Sequence, residues 1–286
     1  AVKIEDGEDK SLALKKEGSA WTLPTMDGFP ADGNAVDRLL EKVERLERGW
    51  PVATTSGAAK RFMVAEDDFE RKITLSKGDN VIASLLVGSS PGLRKVHLRL
   101  PGEDEVYAVE LNTYEMETEE DDWIDKSVLS FKAEEVARIE LPSLTLVRGE
   151  EGMAPDDLAE DEEAVKEEVE RVVDRVAGLK IRSVLGKEKK PEYRQEEPDM
   201  KYRVELASGE NREYVFSKPE DENHYVLKST EREEYLSVDT WVVDRIKEVE
   251  RNKLVRKKVE TEAEEKEDDP ESSVDVGTAA EKSEGS

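Results

Sequence analysis

Asp32, Asn34 and Asp37 stand in the run PADGNAVDRLLEKVERLERG, residues 30 to 49, where either a cation loop or a helix could begin. A calcium loop of the hand type sets oxygen ligands at alternate positions, follows them with glycine and ends on a distant glutamate. Here the glycine comes second, and Val36 falls on a ligand position. Asp32 or Asn34 suits a helix start instead, because a short side-chain oxygen can accept from the unpartnered amides of the first turn. Glu119-Glu120-Asp121-Asp122, just before Trp123, could hold a hard cation only if adjacent carboxylates converged. Adjacent side chains diverge, so the run reads as a solvated face. His97 and His224 lie inside alternating stretches at roughly equivalent places, with no third ligand in the pattern.

Other chemistries leave no mark. The chain has neither a G-x-S-x-G elbow nor a G-x-x-x-x-G-K-[ST] phosphate loop. It has no cysteine, which removes disulfides, thiolate nucleophiles and cysteine-bound metals. Hydrolysis of a glycoside by paired carboxylates stays open, because 71 acidic residues offer many pairs. The net charge of −27 sets the chain against nucleic acid and against an anionic membrane surface. The sequence therefore predicts no catalytic residues, no metal ligands, no cofactor and no nucleic-acid partner.

The elements that would carry these residues show an internal order. Val36, Leu39, Leu40, Val43 and Leu46 recur at helical spacing, and Val169, Val172, Val173, Val176 and Leu179 repeat the same intervals 133 positions later. Arg38 falls on Arg171 and Asp37 on Glu170. Ahead of the helices, Ser11-Leu12-Ala13-Leu14 matches Ser143-Leu144-Thr145-Leu146, and Ile4 matches Ile139. After them, Ile73 matches Val204, VHLRL (96 to 100) matches HYVLK (224 to 228), and Tyr107 matches Tyr235. Asp125-Lys126 after Trp123 matches Asp244-Arg245 after Trp241, and the four tryptophans are expected to pack at such landmarks.

Each half reads as a hairpin, a helix of about four turns and a meander of alternating strands with glycine turns. The predicted fold class is α+β: two tandem repeats, each a mainly antiparallel sheet with one amphipathic helix packed on it. The repeats are placed at 1–133 and 134–259. Residues 260–286, with eleven acids, two lysines and no aromatic residue, are predicted to be a disordered acidic tail.

The order GSAWTL, PADGNAVDRLLEKVERLE, VHLRL with EVYAVEL, DDWIDKSVLSF and EEVARIEL resembles the bacterial domain-of-unknown-function 4340 family over most of residues 1 to 147. VERVVDRVAGL and YLSVDTWVVDRI extend the likeness more loosely. The resemblance implies an extracytoplasmic region behind an amino-terminal membrane anchor that precedes Ala1. It also implies a periplasmic setting beside ABC-transporter subunits of the gliding-motility type. The expected function is that of a non-enzymatic binding or scaffold domain, an accessory to a transport or motility-linked envelope complex. Its partners would be ABC-transporter membrane subunits or other envelope proteins. Two rivals are an envelope polysaccharide enzyme with two carboxylates in a cleft between the repeats, and a purely structural acidic protein suited to high salt.

Overall fold

The computed structural model describes residues 1–258 except 93 and 221. The predicted acidic tail, 260–286, lies outside the described residues. The α+β class is as the sequence predicts: two eight-stranded antiparallel sheets with few helices.

The first half contains β1 (Val2–Asp6), β2 (Ser11–Glu17), β3 (Ala20–Leu23) and β4 (Phe29–Pro30), then helix α1 (Gly33–Glu44). A short helix α2 (Ser56–Arg61) and the small hairpin β5 (Val64–Ala65) and β6 (Asp68–Phe69) follow. The meander β7 (Arg71–Lys77), β8 (Asn80–Val87), β9 (Lys95–Arg99) and β10 (Tyr107–Glu110) closes it. The second half contains β11 (Val136–Glu140), β12 (Thr145–Gly149), β13 (Gly152–Pro155) and β14 (Glu162–Ala164), then helix α3 (Lys166–Ala177) and β15 (Ser183–Gly186). Its meander is β16 (Met200–Leu206), β17 (Asn211–Ser217), β18 (His224–Ser229) and β19 (Tyr235–Asp239). Helices α4 (Thr240–Lys247) and α5 (Arg251–Leu254) lead to β20 (Val255–Lys257), which pairs with β14.

The sheet orders are β10-β9-β8-β7-β1-β2-β3-β4 and, read from the corresponding edge, β15-β19-β18-β17-β16-β11-β12-β13. Seven strands thus follow the same order in both sheets. Ile4 lies between Leu12 and Ile73, and Ile139 lies between Leu146 and Val204. The Ile4–Ile139 and Ile73–Val204 matches are therefore in register. The match of Leu12 with Leu144 is not, because Leu146 holds that place. Leu98 faces Val87 and Tyr107, while Leu227 faces Phe216 and Leu236. The sequence match sets Leu98 against Val226 and Tyr107 against Tyr235, yet Leu98 and Tyr107 belong to the main core whereas Val226 and Tyr235 belong to a separate outer-face cluster, so this match is out of phase. A repeat of period two tolerates no odd shift once one face is buried, which is why burial corrects the alignment.

Both long helices run 12 residues, somewhat under the four turns expected. Asp32 caps α1: its Oδ1 accepts from the amides of Asn34 at 3.0 Å and Ala35 at 3.1 Å. Val36 and Leu39 are buried, and Leu40, Val43 and Leu46 pack partly buried beside them. In α3 the four valines are all buried. Trp21 locks α1 from the side, with its Nε1 donating to Asp37 Oδ1 at 3.0 Å. Buried side chains of both halves form one continuous cluster, to which Trp123, Ile124 and Leu129 belong. The amide of Phe131 donates to Ala177 O, and the amide of Ile181 donates to Lys126 O.

Only two tryptophans act as packing landmarks. Trp21 and Trp123 are buried, whereas Trp241 is 58% exposed on α4 with Arg245 stacked on it, and Trp50 is almost wholly exposed. The halves also end differently. The first passes through a 3-10 turn, Glu120–Asp122, before Trp123, and the second ends on α4.

Replacing the cap tests the reading of the first helix. Asp32→Ala should cost about 1 kcal/mol, the usual range for a lost side-chain cap, and Asp32→Asn should cost little. Urea unfolding followed by circular dichroism checks both.

Candidate functional site

The segment between helix and meander makes the two halves structurally different. In the first half, residues 50–69 fold over the outer face of the sheet. Ala58, Val64, Leu86 and Val106 form a separate small core there, with Phe62 and Phe69 packed against it. The approach is close: a Cβ on Gly88 would meet the carbonyl oxygens of Phe62 and Met63 at 2.2 Å. His97 is buried beneath this cover, its Nδ1 3.1 Å from Ser89 Oγ and its ring 4.2 Å from that of Phe62. Buried Arg99 reaches the same cover, donating from Nε to Val64 O at 2.6 Å and from Nη1 to Glu103 O at 2.7 Å.

In the second half the corresponding segment, 180–199, gives Tyr193 and Leu185 to an outer-face cluster with Val226 and Tyr235. It also gives β15, which pairs along β19: Ser183 with Ser237, Val184 with Leu236 and Gly186 with Tyr235. In the first half the equivalent pairing shrinks to one bridge, Ala53 with Val106. Val52 donates the bond to Val106 O; two residues beyond the bridge, Pro51 would stand opposite Ala108, and proline has no N–H. The chain leaves the sheet at that point, and Trp50 is 94% exposed.

What remains beside β10 is an open groove of about 1000 Å³ between that edge strand and α1. Its lining includes six basic residues against four acidic ones, in a chain that is strongly acidic elsewhere. Lys42 pairs with Glu115, and Arg48 approaches Glu103 at 3.5 Å while lying 5.6 Å over the Tyr107 ring. Arg45 lies 3.6 Å from Glu41. Arg38, Arg94 and Lys95 make no ion pair among the described residues. Leu46, Val109 and Leu111 supply an apolar floor. Tyr114, 80% exposed, lies in the chain between the lining residues Asn112 and Glu115, and Trp50 follows the lining residue Gly49. No histidine, serine, threonine or tyrosine lines the groove.

The residues that the sequence singles out for chemistry meet only in part. Asp121 and His224 line one small polar cleft of about 310 Å³ where the halves join, with Arg182, Ser183, Glu222 and Ser237. Burial pushes the Asp121 carboxyl above its ordinary value, against the pull of the Val184 backbone amide. His224 Nδ1 lies 3.4 Å from Glu222. Glu119, the first residue of the same acidic run, turns instead to Lys10 at 2.5 Å. Among the described residues no group of three or more His, Asp or Glu side chains could hold a metal ion. Also among them, no helix is long and apolar enough to cross a membrane. The groove itself carries no sequence motif. Its one legible signal was Trp50-Pro51, which breaks a strand that the second half completes.

The family model described as "Domain of unknown function (DUF4340)" matches residues 21–198, more than half of the chain and across both halves. Neither curated proteins nor solved structures give a match.

Arg99 ties the cover to the sheet, and its loss would leave two inward carbonyls without a donor. Arg99→Met should therefore destabilise the protein by about 3 kcal/mol, whereas Arg94→Met, exposed nearby, should change stability by under about 0.5 kcal/mol. Urea midpoints for the two variants check the contrast.

Proposed function

We propose, from the premise that the chain belongs to the DUF4340 family, that it is a non-enzymatic extracytoplasmic binding domain. It serves as a scaffold accessory to an ABC-type transport or motility-linked complex of the bacterial envelope, held at the membrane by an anchor in a longer protein. The two halves are two copies of one unit, of which the first has kept its edge open for a partner. The observation that carries this reading is the groove beside β10, with exposed aromatics next to its lining and no nucleophile within it. Aromatic residues near a partly apolar, arginine-rich groove are the composition that protein partners use as anchors. The segments covering the outer faces, by contrast, satisfy their own polar groups and leave little to recognise.

A photo-crosslinking residue at Lys95, in the native bacterium, tests this. The expected product is an adduct whose second component is a transporter membrane subunit or another envelope protein, identified by mass spectrometry. It should fall at least about tenfold when Trp50 and Tyr114 are both changed to alanine, as for paired hot spots. An adduct profile with no envelope protein, or one indifferent to both aromatics, would sink the proposal.

A further inference from the structure

Resting on that reading of the groove, we infer how the partner binds: an extended acidic segment of a partner protein adds as a strand to the free edge of β10. The second half shows what this edge accepts. There β15 lies antiparallel along β19, and the amide of Arg182 donates to Ser237 O. In the first half, among the described residues, Val106 alone of the equivalent edge is engaged, through Val52 and Ala53. Tyr107 and Val109 face Leu98 and Val96 of β9. The carbonyl and amide of His97 turn the other way, to Gly88 and Ser89. By the alternation of an antiparallel strand, the amides and carbonyls of Ala108 and Glu110 therefore point out of the sheet into the groove. Such a row is a template for one more strand.

Charge selects the occupant. Most of this chain repels an acidic segment, but beside β10 the balance is reversed and Arg38, Arg94 and Lys95 have no acid of their own among the described residues. A strand alternating apolar and acidic side chains would extend the row of Tyr107 and Val109 with one face. Its carboxylates would meet the three cations. The exposed Trp50 and Tyr114 would then cover apolar groups along its length.

The probe is a fluorescent peptide of about nine residues alternating glutamate and valine, long enough to span an edge strand, titrated against the full chain by anisotropy. Saturable binding is expected that weakens severalfold as salt rises from about 50 to 150 mM. N-methylation of alternate peptide amides should weaken it at least about tenfold in one of the two possible phases, because only one set faces β10. Arg38→Glu with Lys95→Glu should weaken it as much, and should let a lysine–valine peptide bind instead. Thermal unfolding of that variant within a few degrees of the parent certifies its fold. Equal binding of both N-methylated peptides, or of the lysine peptide to the unchanged chain, would overturn strand addition. So would a dimer that the peptide dissolves, since the edge would then belong to a second copy. A peptide of residues 260–286 that competes with the same N-methyl sensitivity would give the edge to the chain's own tail and overturn a partner. If Lys95 crosslinks to an envelope protein while no peptide binds, strand addition fails and the binding-domain reading stands. If neither occurs, both fail.

Discussion

Every strand inside a sheet has both rows of backbone groups paired; a strand at the rim has one row that must find a partner or water. This requirement organises both halves of the molecule. Seven strands in each sheet follow one order, and the hydrophobic faces follow from that order. The halves part company at the rim next to β10 and β19. One rim is finished by β15, and the other stops after a single bridge. On the open side the pairing runs through Val52 and Ala53 only, and Pro51, which has no N–H, precedes them.

Electrostatics reinforces that division. With 71 acidic residues against 44 basic ones, most of the surface repels anions. Basic side chains gathered along one helix flank and one strand edge give the groove a sign opposite to the net charge of the chain. The aromatic Trp50 and Tyr114 are 94% and 80% exposed, which leaves much apolar area unburied. Large exposed aromatics beside an open edge have a physical use only when something covers them.

The helices and the antiparallel class were legible because periodicity reports burial directly. Val36 to Leu46 and Val169 to Leu179 point inward as their spacing requires, and Asp32 caps the helix as its side chain allows. Strand matches were less secure. Leu12 against Leu144 keeps the face but misses the register by two residues, and VHLRL against HYVLK sets inward Leu98 against outward Val226. A stretch in which β9 is buried on both faces, as at Val96 to Arg99, offers no alternation to align by. The meeting of Asp121 with His224 was out of reach, since it depends on how the halves join. The groove was hidden for a different reason: it is defined by a strand that is missing, and only the second half shows what should have been there. The tryptophans mislead for a related cause, because Trp50 and Trp241 stay outside while Trp21 and Trp123 pack within.

The account turns on whether the row of backbone groups beside β10 is unoccupied in the free protein. Amide hydrogen exchange resolved at single residues measures this directly, with Ala108 and Ser237, which β15 covers in the second sheet, as the pair to compare. Ser237 should be protected by orders of magnitude, and Ala108 should exchange close to the rate of an unstructured amide. Equal protection at both positions would mean that the first edge is already paired, and would contradict an open sheet awaiting a partner.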